Sequence, residues 1–109
     1  MVGGRMTLFH LARIRTMGAK PAYPVVLTNE RDVWDFCKTN DLPVIWETEL
    51  GDDADLRPLH GLDVWVIGID RITRDRIKEH RPAELFACGR FGFQHRINTA
   101  VGRMVIEWN

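Results

Sequence analysis

Residues 62–69 read LDVWVIGI, and the fold turns on how this stretch is read. Its apolar side chains fall on both faces rather than on every second position. A strand of that kind is buried from both sides, so it belongs in the middle of a sheet with layers packed above and below it. Two further stretches have the same look. YPVVLT (Tyr23 to Thr28) is a short β-branched run, and PVIWETE (Pro43 to Glu49) is a strand that turns polar at its end. Between them lies a helix from Glu30 to about Asn40, with Asn29 expected as its cap and Glu30 and Asp32 in its first turn. Val33, Phe36 and Cys37 recur there at helical spacing and are expected to face the core.

The flanks follow from turn and cap signals. NDLP ends the first of these helices, and LGDDADLRPLHG (50–61) has the composition of a loop. Thr73 is expected to cap a short helix reaching about His80, stopped ahead of Pro82. TLFHLARIRTM (7–17) admits two readings. Thr7 as a cap, Gly18 past the end and Pro21 beyond favour a helix, whereas the alternation at Arg13-Ile14-Arg15 is strand-like. The tail, ELFACGRFGFQHRINTAVGRMVIEWN, is expected to supply two or three strands.

The expected fold is therefore α/β (or α+β). It has a mixed sheet of about five strands, two or three helices packed on it, and antiparallel hairpins toward the C-terminus. The expected core is Val25, Val26, Leu27, Val33, Phe36, Val44, Trp46, Val64, Val66, Ile67, Leu85, Val105 and Ile106. The 109 residues suit one compact domain, with residues 1–6 as a loose start outside it. Two cysteines make no disulfide framework, so a reduced, cytoplasmic setting is expected. No apolar run approaches the roughly 20 residues of a membrane helix, so no membrane partner is expected.

Net charge is zero, which argues against generic binding to phosphate backbones, but the charge is unevenly distributed. Residues 1–27 carry four bases and no acid, residues 28–63 ten acids and three bases, and residues 64–109 five acids and eight bases. The densest part is ETELGDDAD, where Glu47, Glu49, Asp52, Asp53 and Asp55 occur with no base among them. Such a band offers a face to a basic partner, oxygen ligands to a hard cation, or simply a solvated loop. Its spacing is not that of a calcium-binding EF-hand loop, and no cofactor is expected.

Two other stretches carry chemical possibilities. Asp70, at the exit of LDVWVIGI, sits where α/β enzymes often place a carboxylate, and Cys88 with His95 pairs a thiol with a base only if a turn unites them. In CGRFGFQHR (88–96), Phe91 and Phe93 share one face of a strand, with Arg90 and Arg96 on either side. The five residues GRFGF resemble a fragment of the RNA-recognition-motif signature. The basic residue and first glycine are swapped, Gln94 stands where that family has an aliphatic, and the stretch follows the second helix instead of preceding it.

Three functions follow as expectations. The leading one is a small protein-binding or regulatory module of the inhibitor or immunity type that phages and mobile elements encode, rather than an enzyme. Its binding residues would be Glu47, Glu49, Asp52, Asp53, Asp55, Arg90, Phe91, Phe93 and Arg96, and its partner a protein with a basic surface. The others are a domain binding single-stranded nucleic acid through Phe91 and Phe93, and a small enzyme built on Asp70 or Cys88.

Overall fold

A computed structural model of the chain describes residues 7–21 and 23–87. The expectations for residues 1–6, and for Cys88, Arg90, Phe91, Phe93, His95, Arg96, Val105 and Ile106, lie outside the described residues. Within them the order is α1 (Leu8–Thr16), β1 (Val25–Thr28), α2 (Arg31–Thr39), β2 (Val44–Trp46), β3 (Asp63–Ile67), α3 (Arg71–Lys78) and β4 (Glu84–Ala87). Two 3-10 turns, Glu47–Leu50 and Arg57–Leu59, lie in the long connection from β2 to β3.

The four strands form one sheet in the order β2-β1-β3-β4, and every neighbouring pair is parallel. Among the described residues the sheet is thus four-stranded and wholly parallel, where a mixed sheet was expected; the further strands and hairpins expected from the tail after Ala87 lie outside the described residues. β4 was grouped with antiparallel hairpins, yet it runs parallel to β3, with Val64 level with Leu85 and Trp65 with Phe86. The physical reason lies in the intervening segment. A helix between two strands carries the chain back to the end it started from, which forces parallel pairing.

The direction of each crossover sets the layers. From β1 the chain steps outward to β2 through α2, then recrosses β1 to reach β3, and continues outward to β4 through α3. Right-handed crossovers running in opposite directions must cover opposite faces. Accordingly, Val33 and Cys37 of α2 pack with Val26, Val44, Trp65 and Ile67 on one face. Leu8 and Leu11 of α1, Ile77 of α3 and the β2–β3 connection pack on Val25, Leu27, Ile45, Val64 and Val66 on the other. Successive residues of β1 and β3 thus feed different cores, as the period of two in a strand requires.

The connection 50–61, polar in composition, supplies much of the second layer. Leu50, Leu56 and Leu59 are buried in it, and Leu62 is buried just beyond. Of the expected core, Phe36, Trp46 and Leu85 are only half-buried. Burial of the Cys37 thiol pushes its pKa up to about 12, which leaves it an inert core group.

Helix ends show which polar signals were read correctly. α1 exists and is capped by Thr7, whose hydroxyl accepts from the His10 backbone N–H at 3.2 Å. α2 is not capped by Asn29; Glu30 holds the cap position and makes no side-chain cap bond there. α3 starts earlier than expected and stops at Lys78. Its cap is Asp70, whose Oδ1 accepts from the Thr73 N–H at 2.7 Å. Arg81 follows with a left-handed φ of 53°, which takes the chain out of the helix ahead of Pro82.

Replacing Leu27 with Ala, in the middle of a doubly covered strand, is expected to cost about 2–5 kcal/mol in denaturant unfolding. Replacing Ile72, which is exposed on α3, with Ser is expected to stay within about 0.5 kcal/mol. A Leu27→Ala loss no larger than the Ile72→Ser change would contradict the placement of β1.

Candidate functional site

In a parallel sheet, all strands of these crossovers exit at one end, so the residues just past them gather there. The order β2-β1-β3-β4 puts a topological switch point between β1 and β3, where the connections leave in opposite directions. Three exits meet at this point: Thr28 and Asn29 at the end of β1, Glu47 just past β2 and Gly68 just past β3. Thr28 closes β1, and its buried hydroxyl donates to the Ile67 carbonyl of β3 at 3.0 Å while accepting from the Glu30 N–H at 3.0 Å. Asn29 Nδ2 then donates to the Gly68 carbonyl at 2.7 Å and to Glu47 Oε2 at 3.0 Å. One side-chain amide therefore joins the ends of β1, β2 and β3.

Gly68 makes this possible. Its φ of 80° is left-handed, and a Cβ built there would lie 2.0 Å from Asn29 Oδ1 and 3.0 Å from Glu30 Oε2. Sequence reading placed Asn29 on a helix cap and gave Gly68 no role. The only signal in the chain was a glycine inside a strong strand pattern, which marks a close approach of another group.

The carboxyl end is acidic. Glu30, Glu47 and Asp70 stand just beyond β1, β2 and β3, and the nearby arginines at the helix starts are paired along their own helices. Arg31 Nε donates to Asp35 at 3.2 Å, and Arg71 Nε lies 3.9 Å from Asp75. From this end the acidic loop continues across to α3, where Arg76 fastens it. The Arg76 guanidinium donates to the carbonyls of Gly51 at 2.8 Å and Asp52 at 3.1 Å, and also to that of Leu50.

The five acidic residues singled out in this band have different fates. Glu47 is held by Asn29, and Glu49 lies half-buried in the same 3-10 turn. Asp55 faces Arg57, which donates from Nε and Nη2 at 2.9 Å each and from its backbone N–H at 3.0 Å. These bonds, the side-chain ones foremost, lower the Asp55 pKa to about 2. Asp52 and Asp53 are exposed, and among the described residues their carboxylates have no side-chain partner. The band thus splits into one carboxylate held by Asn29, one half-buried, one paired with arginine, and two at the loop tip that are exposed and without a side-chain partner among the described residues. Among the described residues, no group of three or more His, Cys, Asp or Glu is placed to hold a metal ion.

Asp70 is occupied by its capping role. The Thr73 N–H lowers its pKa first and foremost, which keeps the carboxylate ionised and turned toward the helix. No described helix is long and apolar enough to cross a membrane. No family model matches the chain, and no curated protein or solved structure matches it significantly.

Two outcomes test this geometry. Gly68→Ala is expected to destabilise the protein, because the Asn29 amide must leave both of its acceptors or collide. The loss should be smaller in an Asn29→Ala background, and equal losses in the two backgrounds would show that Asn29 does not occupy the switch point. The Asp55 carboxyl is expected to titrate at about 2 by NMR. Its folded pKa is depressed, so its bridge to Arg57 is intact above the ordinary carboxylate range and is lost as pH falls through about 2.

Proposed function

We propose that this chain is a small protein-binding module of an inhibitor-like or immunity-like kind, and that its acidic rim engages a basic surface on another protein. The observation that carries the reading is the pair Asp52 and Asp53. Two exposed carboxylates, with no side-chain partner among the described residues, are held out on a loop whose backbone is tied to α3 by Arg76. A charged loop that is already ordered loses little freedom on binding, so more of its electrostatic attraction is realised as affinity. Glu30, Glu47 and Asp70 at the adjoining sheet end extend the same sign of charge, which steers a basic partner toward this side.

Asp55 contributes less than its place in the sequence implies, because Arg57 already faces it. The contribution of Arg90, Phe91, Phe93 and Arg96 rests on the sequence alone. The rim repels phosphate, so nucleic acid is the weaker choice for this surface.

The test is affinity capture from host lysate, with and without nuclease, using the native protein and two variants. Capture of a protein is expected to survive nuclease, to be lost in Asp52→Lys/Asp53→Lys and to persist in Asp55→Lys, with circular dichroism showing each variant folded. Capture unaffected by the double reversal, or abolished by nuclease, would overturn the reading.

A further inference from the structure

The acidic rim explains attraction but not where a partner would be gripped. Beside it, on the face covered by α2, Trp34 and Trp46 meet edge to face with ring centroids 5.7 Å apart and planes at 89°. Both rings are half-buried, and β2, which carries Trp46, has β1 as its one described neighbour. Trp34 packs on the core beneath α2, so that ring is held in place. One helical turn on, Lys38 reaches back and sets its ammonium 5.6 Å from the Trp34 ring centroid. The residue after Trp46 is Glu47, and Glu49 follows in the same turn.

These facts describe a corner that already receives a cation. A tryptophan face is the best aromatic receptor for an ammonium or guanidinium group, and the contact strengthens when water is excluded. Tryptophan and arginine dominate the few residues that carry most of the energy of protein interfaces. Carboxylates next to such a ring raise the local concentration of cations without neutralising them by direct contact. Helical spacing accounts for Lys38 reaching Trp34, and the half-buried ring keeps enough of its surface outside the core to take an ammonium group there.

We propose that the Trp34–Trp46 corner is the anchor for a lysine or arginine side chain in a basic segment of the partner protein, and that Lys38 occupies the position in the free protein. The proposal rests on the acidic-rim reading and adds the point of grip to it. On binding, the incoming cation takes the Trp34 face and Lys38 swings into solvent. The surrounding carboxylates hold the rest of the basic segment through longer-range attraction.

A ten-residue lysine peptide is the probe, titrated against the isotope-labelled full chain while the indole N–H and loop amide signals are followed by NMR. Saturable binding that shifts the Trp34 and Trp46 indole signals is expected. Trp34→Leu should weaken it about 5- to 30-fold, the range of a partly desolvated cation–π contact. Lys38→Gln should tighten binding more than Lys78→Gln, a change of equal charge on α3, across the sheet from α2. This comparison does not depend on Trp34→Leu folding, because both lysines are exposed. Equal effects of the two lysine variants, or Trp34→Leu binding as the native protein does, would overturn the anchor. If Asp52→Lys/Asp53→Lys abolishes binding while Trp34→Leu leaves it unchanged, the rim stands and the anchor falls. If only Trp34→Leu weakens binding, the anchor stands and the rim falls. No binding by the native protein overturns both.

Discussion

The pairing of β1 with β3 is the constraint on which the rest of the structure depends. Both strands are covered on both faces, so their backbone groups have no water to turn to and must satisfy one another. Thr28 is the buried polar residue of this pair, and its hydroxyl is spent on the Ile67 carbonyl and the Glu30 N–H at the strand end. With the centre settled, β2 and β4 can only add at the outer sides. Right-handed crossovers then send α2 to one face and α3 to the other. The switch point between β1 and β3 is thus a consequence of the pairing, and the three strand exits meet there for the same reason.

Electrostatics at the carboxyl end follow from that convergence. Carboxylates far apart in the chain are brought to one side of the molecule, where their mutual repulsion has to be offset locally. Asn29 offers its amide to Glu47, Thr73 its N–H to Asp70, and Arg57 its guanidinium to Asp55. Arg76 binds carbonyls instead of carboxylates, so it fixes the loop without cancelling the charge of Asp52 or Asp53. Those two therefore stay exposed and charged on the loop, while the ion pair of Asp55 with Arg57 beside them is exposed and individually weak.

Much of the fold was legible because hydrophobic periodicity reflects burial directly. LDVWVIGI and VVLT are apolar on both faces, and they are the two central strands. Thr7, Gly18 and Pro21 bracket α1 as their cap and stop chemistry requires. What misled was composition without geometry. Residues 50–61 looked like a solvated loop, yet their leucines, several residues apart, build a layer of the core, since an irregular segment buries side chains without any fixed period. Phe36 and Trp46 looked like core and are half-buried, because spacing shows which face a residue takes and not how completely that face is covered. The direction of β4 was lost because its strand pattern was joined to the tail instead of to the helix before it.

The sequence by itself determined the local states: where strands and helices form, which chain segments are acidic, and that an uncharged thiol such as Cys37 suits an apolar helix face. Each of these depends on neighbours within a few residues. Tertiary structure alone decided the roles of Asn29, Gly68 and Arg76, the split of one acidic band into held and exposed carboxylates, and the meeting of Trp34 with Trp46. Apart from the Asp55–Arg57 pair, which is local, those outcomes depend on distances between residues that the chain separates by 12 to 39 positions, and such distances exist only once crossovers have set the strand order and the faces.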